Sequence, residues 1–358
     1  MTPHFHTLRV SEVRRETAEC VSLALEVPAA LRDAFRFTQG QYLNLRAVLG
    51  GEEVRRSYSI CSGTDDGELR VAVKAVPGGT FSTYANRELQ PGATLEAMPP
   101  EGRFFTPLDP SHRKHYVAFA AGSGITPVLS LIKTTLAREP QSRFSLVYGN
   151  RNIDAIIFSE QLEDLKDRYL ARLALFRVFS RDPQPVELFN GRVDSAKVRE
   201  LLGTLLPPAA IDEAFVCGPD TMPDEVAGAL EACGVARSHI HLERFGAPAP
   251  RASVASAPRS PAAAGAREVT VIVDGKQLRL ELAEAGPSVL DAALRAGADL
   301  PYACKAGVCC TCRAMLVEGE VRMDANYTLS DEELQQGFRL TCQSHPVTAR
   351  VVLDYDRR

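Results

Sequence analysis

The 358-residue sequence has no apolar run approaching the roughly 18 uninterrupted residues that a bilayer crossing needs, so no membrane span is expected. It also lacks a surplus of either charge. Its 41 Lys and Arg stand against 45 Asp and Glu, a net of −4, which leaves nothing to attract nucleic acid. Residues 1–10 have neither the basic start nor the apolar core of a secretory leader, and the cytoplasm is the expected location. Internal repeats are absent. The seven histidines, His4, His6, His112, His115, His239, His241 and His345, form no metal triad with carboxylates at ligand spacing. His4 and His6 would make a weak surface chelate at most, and His239 and His241 would share one face of a strand. No oxygenase active site is therefore expected in this chain. With 45% hydrophobic and 24% charged residues, the balance is that of a folded protein.

The length exceeds one ordinary domain of about 100–200 residues. One boundary is plain: residues 247–266 are a Pro/Ala/Ser tract with almost nothing large to bury, which reads as a semi-stiff tether. Residues 1–107 alternate apolar and polar in short runs, such as 20–27 and 68–76, punctuated by Gly and Pro. That pattern predicts an antiparallel β-barrel. Across 108–246, strand-like runs at 116–121, 144–148, 175–179 and 214–217 alternate with amphipathic helical stretches, which predicts an α/β domain around a parallel sheet. In 267–358, runs at 268–273 and 277–282 flank Asp274-Gly275, a strong hairpin signal, and 290–296 reads as a short helix. The expected fold class is multidomain: β-barrel, α/β domain, then a smaller α+β domain.

Nine cysteines are many, and an odd number without a leader argues against a disulfide framework and for metal or catalysis. Cys20, Cys61, Cys217 and Cys233 stand singly, whereas Cys304, Cys309, Cys310, Cys312 and Cys342 crowd towards the carboxyl end. Four residues separate Cys304 from Cys309 and two separate Cys309 from Cys312, with Cys342 distant. This is the plant-type [2Fe–2S] spacing. Two irons need two thiolates each, and the mostly small residues Lys305 to Val308 let main-chain N–H groups point at sulfur. A four-cysteine zinc site is the competing reading, but structural zinc takes two closely spaced pairs and only one is present. Cys310 could stand in for Cys309; the spacing favours Cys309 and leaves Cys310 a packed thiol. With Pro301-Tyr302-Ala303 before Cys304, and Leu340-Thr341 before Cys342, residues 267–358 resemble a plant-type ferredoxin domain.

Gly122-Ser123-Gly124-Ile125-Thr126-Pro127 follows an apolar strand and opens a helical stretch, where backbone and helix N-terminus can approach a pyrophosphate. It is weak alone, being short of a full dinucleotide fingerprint. Arg56-Ser57-Tyr58-Ser59 gives it context, because it resembles the flavin motif of the ferredoxin–NADP reductase superfamily. Gly78-Gly79-Thr80-Phe81-Ser82-Thr83 resembles that family's second phosphate-holding segment. The resemblance implies that Arg56 pairs with the FAD pyrophosphate, Tyr58 stacks on the isoalloxazine and Ser59 lies near flavin N5. It also implies that Cys217, in Cys217-Gly218-Pro219, sits beside the nicotinamide, with Glu243 and Phe245 near the flavin. Ser59, Cys217 and Glu243 are thus the candidate catalytic residues. Asn150-Arg151 and Ser180-Arg181 end strands of the nucleotide domain. An Arg and a hydroxyl there can hold a 2′-phosphate, which favours NADPH, although Asp182 is adjacent and NADH stays open.

NADPH yields two electrons as a hydride and a [2Fe–2S] cluster accepts one, so a flavin is the needed converter. The chain reads as a relay from nicotinamide to FAD to cluster to an external acceptor. A reductase followed by a ferredoxin resembles the reductase components of bacterial multicomponent oxygenases. Within them, Val317 to Asp324, Asn326 to Leu329 and Leu340 to Pro346 most resemble the reductase subunits of ring-1,2-phenylacetyl-CoA epoxidases, whose partner is a di-iron oxygenase. A reductase for another aromatic or steroid hydroxylase, and a zinc-stabilised binding module, are the alternatives.

Overall fold

The computed structural model describes residues 4–246 and 266–357, so the tether expected at 247–266 lies, but for its last residue, outside the described residues. The chain divides into two compact units, one spanning His6–Phe245 and the other built mainly from Gly246–Arg358.

The first unit opens with β1 (His6–Thr17), β2 (Cys20–Glu26), β3 (Tyr42–Leu49), β4 (Glu52–Ser59), β5 (Leu69–Lys74), helix α1 (Thr80–Arg87) and β6 (Thr94–Ala97). These strands form an antiparallel sheet in the order β4-β3-β6-β1-β2-β5. A bridge between Ile60 and Val71 joins the two edges, which closes the sheet into the expected barrel. Alternation explains its two faces. Val21, Leu23 and Leu25 of β2 turn inward with Val71 and Val73, while Cys20 and Ala72 point outward into a second core.

That second core belongs to a parallel sheet of β7 (His115–Ala121), β8 (Arg143–Asn150), β9 (Leu173–Phe179), β10 (Glu213–Cys217) and β11 (Ile240–Glu243). Its helices are α2 (Ile125–Arg138), α3 (Ser159–Arg168), α4 (Ser195–Thr204) and α5 (Met222–Ala232). Cys20, Cys61, Ala72 and Phe104 pack with Tyr116, Leu129 and Tyr148, so barrel and parallel sheet share one core. Polar bonds stitch α2 to the barrel: Ser130 Oγ donates to Ser62 O at 2.7 Å, and the Thr64 N–H donates to Thr134 Oγ1 at 3.2 Å. The strand order β11-β10-β7-β8-β9 reverses direction at β7. A crevice therefore opens at the carboxyl ends of β7 and β10, where such sheets bind ligands. The expected pairing of His239 and His241 on one strand face does not form. His239 ends a 3-10 turn, and only His241 lies in β11, where it bonds Glu213 at 2.9 Å.

The second unit contains β12 (Arg267–Val273), β13 (Lys276–Leu282), α6 (Val289–Arg295), β14 (Arg313–Glu318), β15 (Val321–Met323), α7 (Asp331–Gln336), β16 (Phe338–Leu340), β17 (Ser344–Pro346) and β18 (Arg350–Asp354). A mixed sheet runs β13-β12-β18-β14-β16, and β15 pairs with β17. The Asp274-Gly275 hairpin forms as expected, with φ of +49° and +71°, the doubly left-handed turn that matches strand twist. Ser288 caps α6 by accepting the Asp291 N–H at 3.2 Å. Among the described residues no helix is long and apolar enough to cross a membrane.

A buried carboxyl group pins the segment that leads into the parallel sheet. Glu139 accepts from Tyr116 Oη at 2.9 Å, Ser142 Oγ at 2.7 Å and the Asp109 N–H at 3.0 Å, and His112 Nδ1 lies 2.7 Å away. Removing it strands several donors out of water. Glu139→Ala is expected to destabilise the first unit by about 3 kcal/mol, read as a lower urea midpoint.

Candidate functional site

After β7 the chain makes a 3-10 turn, Gly122–Gly124, before α2 begins. Gly122 needs its left-handed φ of +52°, and its carbonyl accepts from Tyr148 Oη at 3.0 Å. Gly124 is required for a different reason. A Cβ there would stand 2.0 Å from the carbonyl oxygen of Cys217, so α2 reaches the end of β10 only without a side chain. Thr126 Oγ1 turns back to Ser123 O at 3.0 Å, and Thr126 and Pro127 are buried in the first helical turn. The helix N-terminus thereby presents its free N–H groups and positive end to the crevice.

The crevice holds a cavity of about 410 Å³. Of the residues singled out from sequence, Gly122, Asn150, Arg151, Ser180, Arg181 and Pro219 line it; Gly124, Thr126, Cys217 and Gly218 shape the turns behind. Arg151 follows β8, Arg181 follows β9, and the Arg181 N–H donates to Arg151 O at 2.8 Å. Asn190 bridges Phe179 in parallel, so Arg192 follows a third neighbouring segment and also lines the cavity. Three guanidinium-bearing residues thus border one wall. Asp182, beside Arg181 in sequence, is not among the lining residues. Asn150 Nδ2 is buried without a hydrogen-bond partner, as a donor awaiting a ligand would be. Arg151 also pairs with Glu19 at 3.2 Å, an exposed contact that a ligand phosphate can displace.

In the barrel, β4 carries Arg56, Ser57, Tyr58 and Ser59 to its end. Arg56 is exposed and Tyr58 half-buried on one face; the Tyr58 ring lies 5.4 Å from Phe81 at 35°. Ser57 Oγ donates to Asn44 Oδ1 at 2.6 Å, and Ser59 is buried. Burial also raises the Tyr58 hydroxyl above its usual range, keeping the ring neutral. Gly78, at φ +71°, turns the chain into α1. At Gly79 a Cβ would meet Ser82 Oγ at 2.4 Å, and Ser82 Oγ accepts the Val76 N–H at 3.2 Å. The Thr83 N–H donates to Gly79 O at 3.0 Å, so the tight glycine turn presents the start of α1 beside Tyr58 and Phe81.

Cys217 ends β10 directly in register with Glu243 of β11. Burial, reinforced by Glu243, holds the Cys217 thiol well above its ordinary range, so it stays protonated. Desolvation pushes the Glu243 carboxyl up to about 8, against a smaller downward pull from the Arg244 N–H. Phe245 is 48% exposed. Because native Glu243 keeps its proton to higher pH than the unfolded chain does, the stability linked to it is present at low pH. It is lost as pH rises through about 8. Glu243→Gln is expected to flatten that loss in denaturant midpoints measured from mildly acidic to mildly alkaline buffer.

In the second unit the cysteines come together as two pairs, Cys304 beside Cys309 and Cys312 beside Cys342. The loop is wound by left-handed residues: Lys305 at +52°, Gly307 at +75° and Cys310 at +57°. That winding aims main-chain donors inward, with the Ala306 N–H 3.3 Å from Cys304 Sγ and the Cys304 N–H 3.5 Å from Cys309 Sγ. Such donors, with the partner thiol first, lower the Cys304 thiol; Cys312 and then Gln343 lower Cys342. Two pairs suit two irons, whereas a single tetrahedral ion needs its ligands at one point. Cys310 Sγ lies 3.0 Å from Thr328 Oγ1.

Lys74, from β5, and Arg192 line the nucleotide cavity and were not singled out from sequence. Lys74 carries no local signal because it comes from the other sheet. Arg192 follows Gly191 at φ +103°, a turn glycine that could have drawn attention to it.

Three family models match: an oxidoreductase FAD-binding domain over residues 7–105, an oxidoreductase NAD-binding domain over 119–227 and a 2Fe-2S iron-sulfur cluster binding domain over 271–347. The chain is 45% identical to one of the subunits of the 1,2-phenylacetyl-CoA epoxidase of Escherichia coli (strain K12), covering 99% of this chain and 98% of that one. It is 34% identical to the 3-ketosteroid-9-alpha-monooxygenase ferredoxin reductase component of Rhodococcus rhodochrous, over 97% and 96%. Phthalate dioxygenase reductase shares the fold, with a TM-score of 0.58 at 24% identity over 98% of both chains. An intact type IV self-sufficient cytochrome P450 monooxygenase does so with a TM-score of 0.68 at 21% identity, this chain spanning 41% of its length. With these domains in one polypeptide and full-length relatives of this kind, the chain belongs to the family of oxidoreductases that join FAD-binding, NAD-binding and plant-type [2Fe–2S] domains, the reductase components of oxygenase systems.

Proposed function

We propose that this oxidoreductase draws electrons from NADPH and delivers them to the di-iron oxygenase of a phenylacetyl-CoA epoxidase. The observation that carries the electron-transfer reading is the presence, in one chain, of a nucleotide crevice and two pairs of thiols. The choice of oxygenase is supported by 45% identity along nearly all of both chains. Bound FAD and a [2Fe–2S] group would supply the conversion of a two-electron hydride donor into single electrons.

The chain's own residues then divide the work. Lys74 and the start of α2 would hold the nicotinamide dinucleotide's pyrophosphate. Arg181, Arg151 and Arg192, with Ser180, would take a 2′-phosphate, which is why NADPH is preferred here to NADH. Arg56 and the Gly78–Thr83 turn would hold the FAD phosphates, and Tyr58 would cover the isoalloxazine. Ser59, Cys217 and Glu243 would border the reacting rings, with Cys217 as a neutral thiol that excludes water. Cys304, Cys309, Cys312 and Cys342 would ligate the irons. The modules of this reading would be 1–107, 108–246 and 267–358, with 247–266 as the tether. Among the described residues no cysteine is joined in a disulfide, which fits a reducing cytoplasm. A steroid or other aromatic hydroxylase is the second acceptor to weigh, given 34% identity to a ketosteroid monooxygenase reductase.

Reconstitution decides the acceptor: NADPH-driven turnover with a phenylacetyl-CoA epoxygenase but not with a steroid hydroxylase supports the proposal, and the reverse sinks it. Cys342→Ser is expected to abolish cluster absorption while NADPH still bleaches the flavin. Full iron content in that variant would transfer the ligand role to Cys310. Arg181→Ala is expected to raise the NADPH dissociation constant about tenfold and leave that for NADH nearly unchanged; an unaltered ratio would move 2′-phosphate recognition away from Arg181.

A further inference from the structure

We infer that Gln343 is a positioning residue for the iron–sulfur group, whose side-chain amide ties the loop of three ligands to the fourth and raises the group's reduction potential. The inference rests on the reading that Cys304, Cys309, Cys312 and Cys342 are the ligands. Gln343 Nε2 lies 3.0 Å from Lys305 O, 3.1 Å from Cys342 O and 3.6 Å from Cys342 Sγ. Its Cγ would be 3.4 Å from a Cβ placed on Gly307, so the side chain lies across the ligand loop.

The loop needs such a tie. Lys305 is a non-glycine residue at φ +52°, a conformation that costs about 1 kcal/mol. Its ammonium is held by Asp291 at 2.7 Å and lies 4.8 Å from the centre of the Tyr302 ring. Those contacts fix the side chain, whereas Gln343 fixes the carbonyl. The same amide reaches a ligand sulfur, and an N–H aimed at sulfur favours the more negative, reduced group. The Ala306 N–H does the same at Cys304 Sγ, but every residue type supplies a main-chain donor. Gln343 supplies a side-chain donor that can be removed while the backbone stays as it is.

The test uses the full-length holoprotein and separate potentiometric titrations of the cluster and flavin signals. Gln343→Leu keeps the bulk and loses the donor. It is expected to make reduction of the cluster about tenfold less favourable, ~59 mV lower for one electron, with the flavin potential unmoved. Gln343→Lys keeps an N–H donor and adds positive charge, and is expected to titrate at or above the wild-type cluster potential. Equal cluster potentials in wild type and the Leu variant would overturn the inference. Should the Leu variant not retain its cluster, the Lys variant decides, and a potential below wild type would overturn it. Wild-type protein that takes up no iron and sulfide would instead overturn the ligand reading on which the inference rests.

Discussion

The first unit turns on the contact between Gly124 and the Cys217 carbonyl. Only a residue without a side chain lets the start of α2 come against the end of β10, and this approach carries the helix N-terminus into the crevice where the strand order reverses. Three consequences share that geometry. The positive end of α2 faces the ligand cavity, Cys217 is sealed from water behind it, and the rest of α2 is free to bond the barrel through Ser130 and Thr134. Barrel and parallel sheet are consequently one packed body with a common core, and residues from both, such as Lys74 and Arg181, border the same cavity.

The second unit uses local winding in place of a close helix approach. Left-handed Lys305, Gly307 and Cys310 bend a short loop so that its N–H groups face two thiol pairs, and the fourth thiol arrives on the 3-10 turn Thr341–Gln343. Both units prepare for negative charge, by different means. The nucleotide crevice gathers cations and a helix N-terminus for phosphate, while the cysteine loop gathers neutral dipoles, which stabilise anionic sulfur without pairing it to a fixed positive charge.

The buried ionisable groups follow the same logic of satisfaction. Glu139 is tolerated out of water because its oxygens are met by Tyr116, Ser142, His112 and the Asp109 N–H. Glu243 has fewer donors, and burial pushes its carboxyl up. One is a structural carboxylate and the other sits beside the candidate reacting thiol.

Much was legible beforehand because the determinants are local. Period-two alternation marked the barrel strands, the alternation of runs marked the parallel sheet, Asp274-Gly275 marked its hairpin, and the cluster of cysteines marked a 2Fe-2S domain. Each rests on residues within a turn or a strand of one another. What needed the tertiary structure was every feature made by residues distant in sequence. The cavity's third guanidinium and its lysine, the alignment of Cys217 with Glu243, the shared core of barrel and sheet, and the reach of Gln343 to Lys305 all depend on how strands are ordered and how loops cross. Strand order is decided by the packing of whole faces, and no run of neighbouring residues encodes it.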